Sequence, residues 1–342
     1  MILVRVQDLK PGMILGRTIL GSTGQVLLRQ GVELTDNYIT FLNKHLIDVV
    51  YIARDDHVPV EDVISDQTRI QALNTTREVL TSVKDGAKLE IGKIQEALVT
   101  VIDELLLKDE VMINLVDIRS YSEELFSHTL NVSILAAILG IELQYNKFEL
   151  TDLTTAALLH DIGLLFVSDE EYQEHPRVGA QILRKSGRVS SKIIASVIQH
   201  HENYDGTGFP KGFADDHIQD FARIIRITDT FDQLSANNRY PIEEAIEYLM
   251  AGSGTLFEPR LVRKFLECVS FYPAGTKVKL NTGEIGTVVK ANKGFPTRPV
   301  VRIDQNILGT KVRPTYHLDL VKEKTYFITS KSDEAITGER HD

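Results

Sequence analysis

Two stretches of this sequence, forty residues apart, concentrate its chemistry: Leu158-Leu159-His160-Asp161-Ile162-Gly163 and His200-His201-Glu202-Asn203-Tyr204-Asp205-Gly206-Thr207-Gly208-Phe209-Pro210. In each, an apolar helix-like run leads into two adjacent ionisable residues. Adjacent side chains on a regular helix point about 100° apart, so both can serve one site only at a helix end or when two ions are bound. The two stretches therefore predict helix ends that deliver imidazoles and a carboxylate to a shared site.

Further ionisable residues occur in the surrounding apolar sequence. Five of the ten histidines fall between positions 128 and 201. Glu124 and His128 are four residues apart and would share a helical face. Asp229 lies in an apolar helical run, where an unpaired buried carboxylate costs on the order of several kcal/mol. Imidazoles and carboxylates without thiols form the ligand set of a hard-to-borderline metal ion. Each residue alone is more often an ordinary buried polar residue, and Asp229 could instead pair with Arg223 or Arg226.

Taken in order, these motifs resemble the HD-GYP subgroup of the HD superfamily. The resemblance covers about 118–272 and implies an all-helical, metal-dependent phosphodiesterase that opens cyclic di-GMP to linear pGpG, with GMP as a further product left open. The sequence departs from the family at three places. Leu164 stands where members usually have a Lys, the run from Asp161 to His175 is short, and Phe209 replaces the Tyr of the name-giving motif, which keeps the ring but loses the hydroxyl.

The resemblance implies two or three divalent metal ions, with iron or manganese expected. In a two-metal site the ions lie roughly 3.5–4 Å apart, and Asp161 would bridge them and position the attacking hydroxide. Glu124 at this position is typical of members with a third ion; alternatively, it orients His128 as a carboxylate partner. The implied ligands are Glu124, His128, His160, Asp161, His175, His200, His201 and Asp229.

The resemblance also implies substrate contacts, which are expected from Asp205, Gly208, Phe209, Pro210, Arg239 and Tyr240. Arg239 is the candidate phosphate clamp, because a guanidinium can hold two oxygens at once. The alternatives are an ordinary helix connector for the loop and a surface position for Arg239. Leu164 and the short run also leave two other functions open: a cyclic-dinucleotide receptor or signalling module without hydrolysis, and an HD phosphohydrolase for another nucleotide.

Composition restricts the partners and the compartment. A net charge of −10 argues against binding to a nucleic-acid polymer. A small anionic cyclic dinucleotide is compatible, because bound cations can dominate the local field. Cys268 is the single cysteine, so no intrachain disulfide can form, and a reducing cytoplasm is expected. No apolar run approaches the roughly 20 residues of a membrane span, and a signal-peptide pattern is lacking. A homodimer or a signalling partner is left open.

The chain reads as a multidomain protein. We expect a small α+β domain over 1–55, a linker and helical segment over 56–117, an all-α HD-type catalytic core over 118–272, and a small β-barrel-like module over 273–330. Residues 331–342 are polar and expected to be disordered. The helix predicted near 91–107 either covers the core or forms a dimerising pair.

Overall fold

The structure, a computed structural model, describes residues 2–20, 25–45, 47, 49–53, 63–108, 113, 124–187, 189–235, 242–272 and 274–331. It separates into two compact units. One contains Leu20–Gln25 and Asp62–Cys268, and the other contains Met1–Ile19, Val26–Glu61 and Val269–Asp342. Most of the linker expected after residue 55 and nearly all of the expected disordered tail lie outside the described residues.

Helices dominate the first unit and strands the second. The helices are α1 Asp36–Lys44, α2 Asp66–Lys84, α3 Ile91–Leu106, α4 Glu124–Glu142, α5 Lys147–Leu159, α6 His175–Ser186, α7 Ser191–Gln199, α8 Asp220–Ser235, α9 Ile242–Ala251 and α10 Pro259–Cys268. Short 3-10 helices span Val6–Asp8, Ile162–Phe166, Asp169–Glu174 and Asp215–His217. The strands are β1 Ile2–Arg5, β2 Ile14–Leu15, β3 Ile19–Leu20, β4 Val26–Leu28, β5 Val49–Ala53, β6 Lys277–Leu280, β7 Ile285–Lys290, β8 Val300–Gln305, β9 Lys311–Asp319 and β10 Ile328–Lys331.

Helix α4 lies at the centre of the helical unit and packs on α2, α5, α8 and α10. Residues 134–139 are all buried, as expected for a helix that is apolar on every side. A Cβ on Gly140 would lie 2.8 Å from the Leu150 side chain, so this glycine permits the close approach of α5. The window Leu125–Glu142 is long and apolar enough to cross a membrane, so the expectation that no apolar run approaches this length is wrong. Because 72% of the window is buried inside the structure, α4 is a core helix.

Capping interactions fix where the site-bearing helices begin. Asn146 and Glu149 form a capping box at the start of α5. Ser190 caps α7 by accepting from the backbone N–H of Ile193, and its hydroxyl donates to Asp152 on α5. These contacts tie α5 and α7 together, so their last residues end near each other.

Helix α3 covers the helical core. Its apolar residues Ile94, Leu98, Ile102 and Leu105 are buried, and the helix packs on α2, α4 and α5. The helix predicted near 91–107 therefore covers the core, which was one of its two interpretations. Whether α3 also joins two copies of the chain stays a prediction.

The strand-rich unit contains a three-stranded antiparallel sheet in the order β1-β5-β2 and helix α1, and β3 pairs with β4. Its carboxyl-terminal part is a five-stranded antiparallel sheet in the order β10-β6-β7-β8-β9, with Val278, Val288 and Val301 in its core. In the described residues, β9 and β10 are the two edges and do not pair with each other. The expected β-barrel-like form is therefore wrong, because closure requires the edge strands to meet.

Candidate metal centre

The helical unit brings seven of the eight predicted ligands together, mostly at helix termini. His160 ends α5 and Asp161 follows it, while His200 ends α7 and His201 follows. His175 begins α6. Helix ends allow neighbouring side chains to turn toward one point, which a regular helix interior does not. The remaining two ligands, His128 on α4 and Asp229 on α8, come from mid-helix positions.

The seven side chains form two groups. Asp161, His175, His200 and His201 form one, and His128, His160 and Asp229 form the other; in each, the ligand atoms lie within 4.8 Å of one another.

Asp161 joins the two groups. Its Oδ1 lies 3.2 Å from Nε2 of His175 and 3.5 Å from Nε2 of His200. Its Oδ2 lies 3.3 Å from Nε2 of His160 and 3.8 Å from Nε2 of His128. A carboxylate that offers one oxygen to each group has the arrangement of a bridging ligand between two cations.

Backbone carbonyls select the tautomer of three histidines. The Nδ1–H groups of these rings donate to carbonyls three residues earlier: His160 to Ala157 at 2.6 Å, His175 to Tyr172 at 2.6 Å and His200 to Val197 at 2.8 Å. In the neutral rings, each Nε2 is then a lone-pair donor directed into the site. Nε2 of His175 and Nε2 of His200 are only 3.1 Å apart. Two lone pairs at this distance repel each other unless a proton or a cation lies between them.

His128 lies between two carboxylates. Its Nδ1 donates to Oδ2 of Asp232 at 2.7 Å, and its Nε2 lies 3.1 Å from Oδ1 of Asp229. Burial alone would lower the pKa of His128, but hydrogen bonds to Asp229 and Asp232 raise it to about 11. In the metal-free protein, the proton on Nε2 therefore pairs with Asp229, the position that a cation would take.

Asp161 and His201 have the protonation states that metal ligands need. Burial alone would raise the pKa of the Asp161 carboxyl, but His160, His175 and His200 hold it well below its usual range. Burial and the neighbouring His200 lower the pKa of His201, which stays neutral.

Several buried polar atoms of the centre lack a hydrogen-bond partner, namely Nε2 of His160, Oδ1 of Asp161, Oδ2 of Asp229 and Oδ1 of Asp232. Each such atom costs about 1–3 kcal/mol when left unpaired. These unpaired nitrogen and oxygen atoms fit divalent cations, and a donor set without sulfur suits iron or manganese.

The alternative partners of Asp229 are engaged elsewhere. Arg223 pairs with Asp216, Asp220 and Glu258, and Arg226 donates to Asn203 and Thr230. Oδ1 of Asp229 instead accepts from Gln233 at 2.7 Å. Asp229 therefore faces the histidines rather than either arginine.

The glycine-rich loop is shaped by its own polar residues. Asp205 accepts from the backbone N–H and hydroxyl of Thr207 at 3.0 and 2.6 Å. A Cβ at Gly208 would lie 2.3 Å from the Asn203 backbone nitrogen, so only glycine fits there. Glu202, which is buried, accepts from the backbone N–H groups of residues 211 and 213. These bonds hold the loop beside the metal centre.

The loop presents Phe209 to the site. The Phe209 ring stacks on His201 with a centroid distance of 4.6 Å and an interplanar angle of 22°. The Pro210 carbonyl lies 3.5 Å from Nη2 of Arg177. Direct substrate contacts by Asp205, Gly208, Phe209 and Pro210 stay predictions.

Three predicted site residues cannot be placed. Glu124 begins α4, but its side chain lies outside the described residues, as do Arg239 and Tyr240. The structure adds two residues that sequence reasoning missed, Asp232 and Tyr172. Asp232 follows Asp229 by one helical turn, and this spacing was the available signal. The sequence around Tyr172 contains no comparable signal.

Two segments of the chain match known domain families. Residues 110–261 match the HD domain family, and residues 277–337 match the KOW domain associated with HD domain. A cyclic di-GMP phosphodiesterase of Pseudomonas aeruginosa is 26% identical over 72% of this chain and 65% of its own length. Another cyclic di-GMP phosphodiesterase, from Borreliella burgdorferi, is 27% identical over 51% of this chain and 50% of its own length.

A solved HDG"Y"P protein from Bdellovibrio bacteriovorus shares the fold. It has a TM-score of 0.52 and 19% identity, over 77% of this chain and 97% of that one. Residues 110–261 are thus an HD domain, and residues 277–337 are a KOW domain of the kind associated with it. These matches and the curated relatives confirm the resemblance to the HD-GYP family drawn from the motifs. The chain spans between half and two thirds of the length of the two curated relatives.

Proposed function

We propose that this chain is a metal-dependent phosphodiesterase that hydrolyses cyclic di-GMP to pGpG. The observation that carries the proposal is that the Asp161 carboxylate offers one oxygen to each of two groups of histidine nitrogens. The curated relatives, named for cyclic di-GMP hydrolysis, support the substrate. Cleavage onward to GMP, a cytoplasmic location and a homodimer or signalling partner stay predictions.

The residues of the centre would hold two divalent ions, with iron or manganese as the proposed metals. Asp161, His175, His200 and His201 would hold one ion; Asp161 would share in holding the other with His128, His160 and Asp229. Glu124 is the proposed additional ligand for a third. Bound divalent ions supply a water of near-neutral pKa and offset the charge of the phosphate oxygens.

The chain itself orients and shields this chemistry. The carbonyls that accept from Nδ1 of His160, His175 and His200 fix each ring with Nε2 toward the site. His160, His175 and His200 are fully buried, so solvent is excluded from the inner side of the centre. We assign Phe209 to stacking on a guanine base and Arg239 to clamping a phosphate.

The test is anaerobic purification, metal analysis and an assay of cyclic di-GMP hydrolysis on the same preparation. Wild-type protein loaded with Fe²⁺ or Mn²⁺ is expected to release pGpG. Asp161→Ala and His200→Ala are expected to abolish this release and to lose bound metal. His217→Ala is the matched control, because His217 is an exposed histidine of the same unit and should keep both properties.

Two outcomes would contradict the proposal. Metal-loaded protein that binds cyclic di-GMP without turnover would be a receptor. Turnover of a different nucleotide, with cyclic di-GMP left intact, would indicate a phosphohydrolase of other specificity.

A further inference from the structure

Tyr172 lies at the boundary between the buried ligands and solvent. Its side chain is 43% exposed, whereas His175 is fully buried and His201 is 8% exposed. Its hydroxyl lies 3.3 Å from Nε2 of His201, close enough to donate to that nitrogen. A phosphodiester that enters the centre from solvent would therefore meet this hydroxyl.

Two contacts hold Tyr172 in place. Its carbonyl accepts from Nδ1 of His175 at 2.6 Å, so its backbone is fixed to a ligand of the site. Its ring lies 4.8 Å from the His175 ring and 6.4 Å from the Phe209 ring, measured between centroids. The hydroxyl is thus presented by a side chain packed on two sides, which favours a defined role over a mobile surface residue.

The short connection between Asp161 and His175 delivers Tyr172 to this position. It consists of the 3-10 helices Ile162–Phe166 and Asp169–Glu174, and Tyr172 belongs to the second. A Cβ at Gly163 would lie 2.0 Å from the His175 carbonyl oxygen, so the first helix and α6 are in direct backbone contact. This close packing leaves Tyr172 beside His201.

The proposed hydrolysis needs a proton donor, and the two positions at which the sequence departs from the family motif, Leu164 and Phe209, do not supply one. Because pGpG keeps its 5′-phosphate, the bond that breaks joins phosphorus to a ribose 3′-oxygen, and an alkoxide is a poor leaving group unless it is protonated. Leu164 has no ionisable group, and Phe209 has no hydroxyl. The Tyr172 phenol, by contrast, carries a proton at neutral pH, because burial and the carboxylates of Asp161 and Asp229 raise its pKa to about 12.

We propose that Tyr172 is the proton donor to the leaving 3′-oxygen, an assignment that rests on the function proposed above. Water adds its oxygen to phosphorus and gives up one proton to solvent. As the P–O3′ bond breaks, its electron pair stays on the 3′-oxygen, which takes the phenolic proton of Tyr172. The phenolate recovers a proton from solvent, so the chain is unchanged after each turnover.

The test compares two substrates: cyclic di-GMP and its analogue with sulfur in place of the two bridging 3′-oxygens. A thiolate leaves without protonation, so the analogue does not need the donor. Tyr172→Phe, loaded with metal, is expected to lose about 100-fold in kcat on cyclic di-GMP, since general acids contribute roughly 10²–10⁴-fold. On the sulfur analogue, the same variant should stay within about 3-fold of wild type, because no general acid is required there.

Metal content and Tm are measured on the same preparations and should match those of wild type. Tyr248→Phe is the control, since Tyr248 is 46% exposed and packs on Phe257 in the same unit. Equal losses on both substrates, or lost metal, would show that Tyr172 only shapes the centre, and full activity on cyclic di-GMP would exclude it as the donor. Metal-loaded wild type inactive on cyclic di-GMP would overturn the proposed function itself, and this assignment with it.

Discussion

Asp232 contacts His128, a residue of the candidate metal centre. Its Oδ2 accepts from Nδ1 of His128, which leaves Nε2 of that ring for the site. A carboxylate behind a histidine ligand fixes the ring and makes it a stronger donor, and loss of such a partner typically weakens metal affinity by about 10–100-fold. We expect Asp232→Asn to weaken Mn²⁺ binding by this factor, as measured by competition with a fluorescent chelator.

Asp220→Asn is the control for this prediction, because Asp220 begins the same helix but pairs with Arg223 away from the ligands. It should leave Mn²⁺ affinity unchanged. If Asp232→Asn also bound Mn²⁺ like wild type, the contact with His128 would have no influence on the metal.

The sequence predicted ligands better than it predicted their partners. The ligands fall in short motifs whose order identifies the family, so seven of them could be named and the structure brings those seven together. Asp232 contacts a residue 104 positions away, and Tyr172 contacts one 29 positions away. Such contacts depend on how helices pack, and the only local signal for them was the spacing of Asp229 and Asp232 on one helix.

Gly163 sets the distance between the 3-10 helix after Asp161 and helix α6. A Cβ at this position would lie 2.0 Å from the His175 carbonyl oxygen and 2.9 Å from the Gly179 nitrogen. Backbone atoms cannot yield as a flexible side chain would. We expect Gly163→Ala to reduce the free energy of unfolding by about 1–3 kcal/mol, the usual cost of overpacking. It should also weaken metal binding, because His175 must move.

Urea unfolding and metal analysis measure both effects. The matched control is Gly92→Ala on α3, where a Cβ would meet nothing within 4 Å. An alanine in a helix is favoured over glycine by roughly 0.5–1 kcal/mol, so this variant should be neutral or more stable. Similar behaviour of the two variants would show that the backbone contact at Gly163 is not tight.

The helix ends and the strands could be predicted from the local sequence, whereas the open form of the carboxyl-terminal sheet could not. The apolar runs that end at His160 and His200 predicted helix ends, because their polar neighbours follow directly. Alternating residues likewise predicted strands after residue 273. Whether five such strands close into a barrel depends on pairing between the first and the last strand in space. The open order β10-β6-β7-β8-β9 leaves those edges apart, and the alternation in each strand is the same in either case.

We expect metal binding and folding of the helical unit to be coupled. The ligands come from α4, α5, α6, α7 and α8 and the residues after two of them, so an unfolded chain has no comparable site. A ligand that binds only the folded state stabilises it by mass action. Chelation is therefore expected to lower Tm, and this loss should be reversed by adding Mn²⁺.

The metal-free protein should also lose stability as pH rises above neutrality. The pKa of His128 is raised to about 11 by Asp229 and Asp232, and the pKa of His160, despite its burial, is raised by Asp161. A group whose pKa is higher in the folded state contributes stability that is full below its unfolded pKa of 6.5 and is lost as pH rises toward the folded value. His200 and His201 have lowered pKa values, as do Asp161 and Asp229, so these groups keep one charge state across this interval.

Thermal unfolding at several pH values between 6.5 and about 9.5 tests this linkage. We expect the Tm of chelated protein to fall across the interval. With Mn²⁺ bound the fall should shrink or reverse, because the ion replaces the proton on His128 and binds more tightly as that proton becomes easier to remove. His128→Gln removes the main titrating group and should flatten the profile of the chelated protein. Equal slopes for the chelated and the metal-loaded wild type would contradict the exchange of a proton for a cation at His128.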